Sequence, residues 1–330
     1  VTSSTSSPST SSAPPAPTST PPPKPKPKAT PVEPLTGVAV KAVARRPVLV
    51  VKVDNASVAR PQSGLNSADL VIEELVEGGI TRFATMFHTT LPPTVGPVRS
   101  LRDVDRAIAG PTHGVLVASG AAGVVRRRVE HGKAQVVFPS SSANFFRSGS
   151  RPAPHNLYLA PKTVLHLASK SHRTPPTHTY LPFATSMAQS TAVRFGKAVH
   201  RINLSFSYSA NPGWSYDPNS QRWLRSESGS PSRQSSGSRI SARTVLILRV
   251  RTVDAGYRDP AGNFVPKTVF VGRGNAAVFS HGKYISATWV KKTEASPLQL
   301  IARHSHRPVL IAPGRTWIEM LPTKGSIRLS

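Results

Sequence analysis

The chain has 330 residues, with 42 Lys and Arg against 15 Asp and Glu. Its formal net charge of +27 implies a strong positive field and favours anionic partners. The absence of cysteine excludes thiol nucleophiles, disulfides and thiolate metal sites. The length predicts two folded domains, and 33 prolines crowded towards one end predict a polar tail that dilutes the 38% hydrophobic content.

Residues 1 to about 34 are almost wholly Ser, Thr, Pro, Ala and Lys, closing on Pro21-Pro22-Pro23-Lys24-Pro25-Lys26-Pro27-Lys28. With no apolar face to bury, residues 1–45 are expected to form a disordered tether. The chain begins at Val1 and its first methionine is Met86, so a processed or truncated product is expected, its signal peptide already removed. No apolar run reaches the roughly 18 to 20 residues needed to span a bilayer, so a soluble protein is expected.

From Pro47 the β-branched run to Asp54 predicts a buried strand. Asn66 or Ser67 is placed to cap a helix carrying Leu70, Val71, Leu75 and Val76 and stopped by Gly78-Gly79. Thr81 to His88 reads as a strand, Ser100 to Ala109 as a helix, Gly114 to Ala118 as a strand, Ala122 to Glu130 as a basic helix and Val136 to Phe138 as a strand. Another helix is expected over 161–170. The alternation predicts an α/β domain over 46–200 with a mostly parallel sheet.

Beyond residue 200, Leu204–Tyr208, Val245–Val253, Lys267–Val271, Ala276–Phe279, Tyr284–Val290, Pro308–Ile311 and Thr316–Leu321 are short apolar runs between turn residues. They predict an all-β domain over 201–330. Ser226 to Ser241, rich in Ser, Gly and Arg, is expected to be a flexible insertion.

Seven of the scarce acids fall between Asp54 and Asp105. On the predicted helix Glu73 and Glu77 share a face, and like charges so placed need a compensating Arg, such as Arg82, Arg99 or Arg102. Asp54, Glu73 or Glu74, and Glu77 could serve as a set for general acid/base work or for a hard metal ion; a solvated helix face with structural ion pairs is the favoured reading. Asp54-Asn55 closes the first strand, where open α/β sheets bind ligands, though an Asx turn explains the same pair. The turn carrying Arg99 and Arg102 could hold a phosphate or carboxylate, or simply cap the helix that follows.

The loop from Arg147 to Asn156 adds Arg151, His155, a proton shuttle near neutral pH, and Asn156, or else a set of structural hydrogen bonds. The catalytic candidates are therefore Asp54, Glu77 and His155. The ligand-binding candidates are Asp54, Asn55, Glu73, Glu77, Arg82, Arg99, Arg102, Arg151, His155 and Asn156. Asp54, Arg99 and Pro154-His155-Asn156 are predicted to line one pocket, with Glu73 or Glu77 paired to Arg82. His304 and His306 alternate without a third ligand, so no metal and no cofactor is expected. Walker, nucleophile-elbow, HExxH and dinucleotide motifs are absent.

Asp54-Asn55, Ala59-Arg60-Pro61-Gln62-Ser63-Gly64-Leu65, Ala68-Asp69, the run from Glu73 to Phe83, Val95 to Ser100 and Pro154-His155-Asn156 resemble the YerB-like lipoprotein family of bacteria, a pair of domains of unknown function numbered 3048. Gly272-Arg273-Gly274, Ala287-Thr288-Trp289 and Pro313 to Ile318 are similar to its second domain; the resemblance covers about residues 46 to 322. It implies a two-domain protein attached to the cell envelope, with no settled activity. The family's lipobox cysteine is missing, so membrane attachment is expected only through an anchor absent from this chain.

The function expected is that of a secreted or surface-anchored envelope protein binding an anionic cell-wall polymer or an envelope protein. The alternative is a hydrolase of a wall or phosphorylated substrate, with a carboxylate base and Arg charge stabilisation. Specific nucleic-acid binding is not expected, because aromatic residues make up just 6% and no recognition motif is present.

Overall fold

The computed structural model describes residues 1–5, 30–140, 145–303 and 305–330. Most of the expected tether, and His304, lie outside the described residues. The stretch 31–45 belongs to the folded unit Pro31–Ser330. Leu35 is buried there, and Glu33 pairs with His88 at 2.8 Å.

In chain order the first half contributes β1 (Leu49–Asp54), β2 (Leu70–Leu75), β3 (Thr81–Phe87), α1 (Asp105–Ala109), β4 (Val115–Val117), α2 (Gly123–Glu130), β5 (Gln135–Val137), β6 (Phe145–Arg147), β7 (Leu157–Leu159), α3 (Pro161–Leu165), α4 (Thr191–Phe195) and β8 (Lys197–Ala198). The second half is built of strands: β9 (Arg201–Ser205), β10 (Pro212–Asp217), β11 (Arg222–Glu227), β12 (Ser230–Pro231), β13 (Ser241–Ala242), β14 (Thr244–Arg258), β15 (Phe264–Val269), β16 (Gly272–Ser280), β17 (Lys283–Lys291), β18 (Gln299–Ala302), β19 (Thr316–Pro322) and β20 (Ser326–Leu329). The strand expected over Pro308–Ile311 makes only isolated bridges, Ile301 with Pro308 and Phe183 with Ile311.

One large sheet runs β18-β17-β16-β14-β19-β2-β3-β1-β4-β5, with β15 on β14 and β8 on β17. It is mixed, which corrects the mostly parallel α/β expectation. β3 pairs antiparallel with both β1 and β2, whereas β1–β4, β4–β5, β2–β19 and β14–β19 are parallel. The reason lies in chain length: only the turn around Glu77–Gly79 separates β2 from β3, and so short a link permits a hairpin but no parallel crossover.

β2 is also the main correction at the level of elements, since it occupies the place of the expected helix. Its sequence LVIEEL is buried on both faces and paired on both edges. Leu70, Ile72 and Glu74 point to one side, and Val71 and Glu73 to the other. Glu73 and Glu77 therefore do not share a helix face.

Each face of the sheet carries its own core. Val50, Ile72, Met86 and Ile318 pack with Ile108 of α1 and with Val125 and Val129 of α2. On the opposite face Val51, Val71, Phe83, Ile247 and Trp317 pack with Ile202, Trp214 and Trp223. These last three belong to a second sheet ordered β12-β11-β10-β9-β20, with β13 on β11. The segment 226–241, expected as a flexible insertion, includes β12 and hydrogen-bonds to the first half. Ser235 N–H donates to Gln62 O at 2.8 Å, Asn66 N–H to Gln234 Oε1 at 3.0 Å and Asn66 Nδ2 to Arg239 O at 2.7 Å.

Candidate functional site at the end of strand β1

β1 ends where its apolar run gives way to Asp54, and the strand's last backbone groups are taken up by the segment around Pro97. Asp54 N–H donates to Pro97 O at 2.8 Å, and Arg99 N–H donates to Lys52 O at 2.9 Å. The same segment accepts β7 on its far side, with Val98 N–H donating to Leu157 O at 2.6 Å and Val95 N–H to Leu159 O at 3.0 Å. β1, residues 95–99 and β7 thus lie side by side, and this brings Arg99 and the loop before β7 to the Asp54 side chain.

There Arg99 and His155 meet the Asp54 side chain. Asp54 is fully buried. Its Oδ1 accepts the Ala56 N–H at 3.0 Å, an Asx-type turn, while Oδ2 lies 2.7 Å from His155 Nδ1 and 3.1 Å from Arg99 Nε. Both partners keep about a fifth of their side chains exposed, 21% for His155 and 19% for Arg99. Asp54 cannot itself meet a ligand; it orients the two groups that can.

Glu77, in the turn between β2 and β3, bonds Arg82 at 2.9 Å and accepts two bonds from Arg102, whose Nε–H reaches Oε2 at 2.8 Å. Of the two pairings expected for Arg82, the structure holds the one with Glu77. Burial pushes the Glu77 carboxyl up, but Arg82 and Arg102 outweigh it and hold the group below the ordinary carboxylate range. Arg82 is pushed down to about 10 by burial, with Arg102 and Arg99 adding repulsion. Two guanidiniums against one carboxylate leave this cluster net positive beside the Asp54–Arg99 pair, while the adjoining Lys52–Glu74–Asp105 group brings one cation and two carboxylates.

In register, Asp54, Arg82 and Glu74 form one rung across β1, β3 and β2. Beneath it the buried Lys52 bridges Glu74 and Asp105, the latter at 2.8 Å. Burial raises the Glu74 carboxyl to about 7 against the pull of Lys52. Sequence reasoning did not find this triad, because β3 separates Lys52 from Glu74 and only the register shows that they share a face.

The remaining candidates lie apart from this rung. Glu73 faces the second sheet and pairs with Arg225 at 2.9 Å; Arg225 also holds Glu227 at 2.8 Å and lies over the Phe83 and Trp317 rings. Asn55 is buried, donating to Thr81 Oγ1 at 2.7 Å and accepting from Arg60 Nε at 3.1 Å and Gln62 Nε2 at 2.9 Å. Asn156 is tied down by Arg147 at 2.7 Å and by the Ser148 and Arg151 carbonyls. Arg151 donates to Ala59 O at 2.6 Å and Pro61 O at 2.8 Å. Asn156, Arg147 and Arg151 shape the loop that presents His155. Among the described residues no cluster of three or more His, Asp or Glu is disposed to hold a metal ion.

Comparison with known proteins matches residues 35–174 to the N-terminal domain and residues 202–318 to the C-terminal domain of DUF3048, a protein family of unknown function. The chain is 29% identical over 306 residues to "Putative lipoprotein YerB" of Bacillus subtilis strain 168, covering 90% of this chain and 88% of that protein. It is also similar to the crystal structure of the YerB protein from Bacillus subtilis, with a TM-score of 0.73 and 25% identity over 89% of this chain and 98% of the other.

Proposed function

The chain belongs to the DUF3048 family, and from that premise we propose that it is an extracytoplasmic protein of the bacterial envelope, secreted or surface-anchored, that captures an anionic wall component or partner through Arg99 and His155. The location is supported by the similarity to a protein named as a lipoprotein. The capture is supported above all by one observation: a single buried carboxylate oxygen of Asp54 holds His155 at 2.7 Å and Arg99 at 3.1 Å. A partly exposed imidazole hydrogen-bonded to that oxygen and a partly exposed guanidinium ion-paired with it are pre-organised, so little side-chain entropy is lost when an anion binds them. The net charge of +27 draws such a ligand in from a distance.

Titration with inorganic phosphate and with teichoic acid at low and physiological salt tests this reading. Binding is expected to weaken steeply with salt. Arg99→Ala abolishes it, and Asp54→Asn weakens it only modestly. Unchanged binding by Arg99→Ala, or tighter and sequence-selective binding to duplex DNA, overturns the proposal.

The carboxylate–imidazole dyad favours a second reading, hydrolysis of a wall or phosphorylated substrate. In that reading His155 moves the proton and Asp54 positions it, which replaces the carboxylate base expected from sequence. Asp54→Asn would then keep binding but lose turnover by roughly 10²- to 10⁴-fold.

A further inference from the structure

A cleft of about 550 Å³ opens beside the His155 loop, within the roughly 300–1,000 Å³ of small-molecule sites. Its floor is aromatic. Phe146 of β6 is 48% exposed and stacks on Tyr158, with centroids 5.8 Å apart and planes at 20°. Tyr158 is buried behind it; Arg151 donates to its hydroxyl at 3.2 Å, and the bare Cα of Gly96 backs its ring. A Cβ at Gly96 would come within 2.6 Å of that ring, so the platform is fixed from behind.

The walls differ in chemistry from the floor. Ser63, Ser148 and Ser150 face in from the first half, and Gln234, Ser235 and Ser236 from the serine-rich segment of the second. Ser63 and Ser235 meet at 2.8 Å, so the two halves build the cleft together. Arg151 is the one charged residue lining it, and its guanidinium is already committed to the Ala59 and Pro61 carbonyls.

We propose that this cleft binds a sugar ring of an oligosaccharide. A pyranose has an apolar C–H face that lies flat on an aromatic ring and a rim of hydroxyls that exchange hydrogen bonds with serine and amide groups. A cation would find no carboxylate among the lining residues. A purely apolar ligand would strip water from the hydroxyls without replacing its bonds. A proline-rich peptide needs a groove of aromatic residues, whereas a single exposed ring is offered here. The proposal also gives the segment 226–241 a use: its lack of apolar pattern is what a saccharide wall requires.

Calorimetric titration of the full chain with chitotetraose, cellotetraose and mannotetraose tests it. At least one is expected to bind, with Phe146→Ala at least tenfold weaker and Phe146→Trp retained; Phe146 is half-exposed, so folding should survive both changes. Phosphate capture by Arg99 is expected to be unaltered in Phe146→Ala, which separates failure of this site from failure of the anion site. No binding to any of the three saccharides overturns the proposal, as does equal binding by Phe146→Ala. Phe146-dependent binding of a peptide spanning residues 14–28, in place of the sugars, also overturns it.

Discussion

Glu319 and Glu73 are register partners on the parallel strands β19 and β2, both fully buried and facing the second sheet. Glu319 Oε1 accepts the Trp214 indole N–H at 2.8 Å, while Oε2 has no acceptor-type bond open to it as long as both acids are ionised. Burial first, and the Glu73 charge second, raise the Glu319 carboxyl well above its ordinary range, so it holds a proton that Glu73 can accept. Glu73 itself is paired with Arg225 at 2.9 Å. Because the folded state keeps a proton that the unfolded chain releases near the ordinary carboxylate range, this group's stabilising contribution is complete below that range. It is lost as pH rises towards the raised value. Glu319→Gln, which mimics the protonated acid, is expected to flatten that decline and to gain about 1 kcal/mol at pH 8. Glu73→Gln leaves Arg225 short of its counter-charge and is expected to cost about 3–5 kcal/mol. Urea melts at pH 4.5 and 8 measure both; an unchanged pH slope in Glu319→Gln refutes the shared proton.

β2 shows where a sequence is legible and where it is not. β14, β16 and β17 are visible in apolar runs that alternate in part with exposed positions, and β1, β3 and β19 in runs that no exposed position breaks, because strands buried on both faces are continuous in hydrophobicity. β2 has the same exposure, yet Glu73 and Glu74 interrupt it and leave Leu70, Val71, Leu75 and Val76 at helix-like spacing. Those acids are tolerated because their countercharges come from distant sequence: Lys52 on one face and Arg225 on the other. The site divides along the same line. Asp54, Arg99 and His155 were readable because each sits at a strand end or loop, where polar residues in an apolar context are conspicuous. The Lys52–Glu74–Asp105 triad and the Arg225 cluster were not, since buried pairing depends on register. As β2 is paired on both edges, Ile72→Ala in its centre is expected to cost about 2–5 kcal/mol, read from the denaturant midpoint. A loss below 1 kcal/mol would show that the helix-side core tolerates the cavity.

The large sheet crosses the boundary between the two family domains, since β2 of the first lies against β19 of the second from Leu70–Thr316 to Glu74–Met320. No solvent layer divides these strands, and the Trp317 side chain packs edge-on against Phe83 at 5.1 Å from across that seam. Arg315 adds hydrogen bonds to the carbonyls of Leu65 and Asn66. A seam made of backbone ladder and buried aromatic rings resembles the interior of one core far more than the polar interface of docked domains. Unfolding of either side would expose the other side's central strand, so the two are expected to melt in one cooperative transition. All four tryptophans, Trp214, Trp223, Trp289 and Trp317, lie in the second half, which makes the test direct. Ile72→Ala, in the first-half strand that pairs with Ile318 across the seam, is expected to shift the tryptophan-fluorescence midpoint and the far-ultraviolet dichroism midpoint by the same amount. Residues 31–200 and 201–330 produced separately are each expected to fail to fold. A fluorescence transition indifferent to Ile72→Ala, or a separate half with a cooperative melt of its own, would show that the seam joins two independent domains.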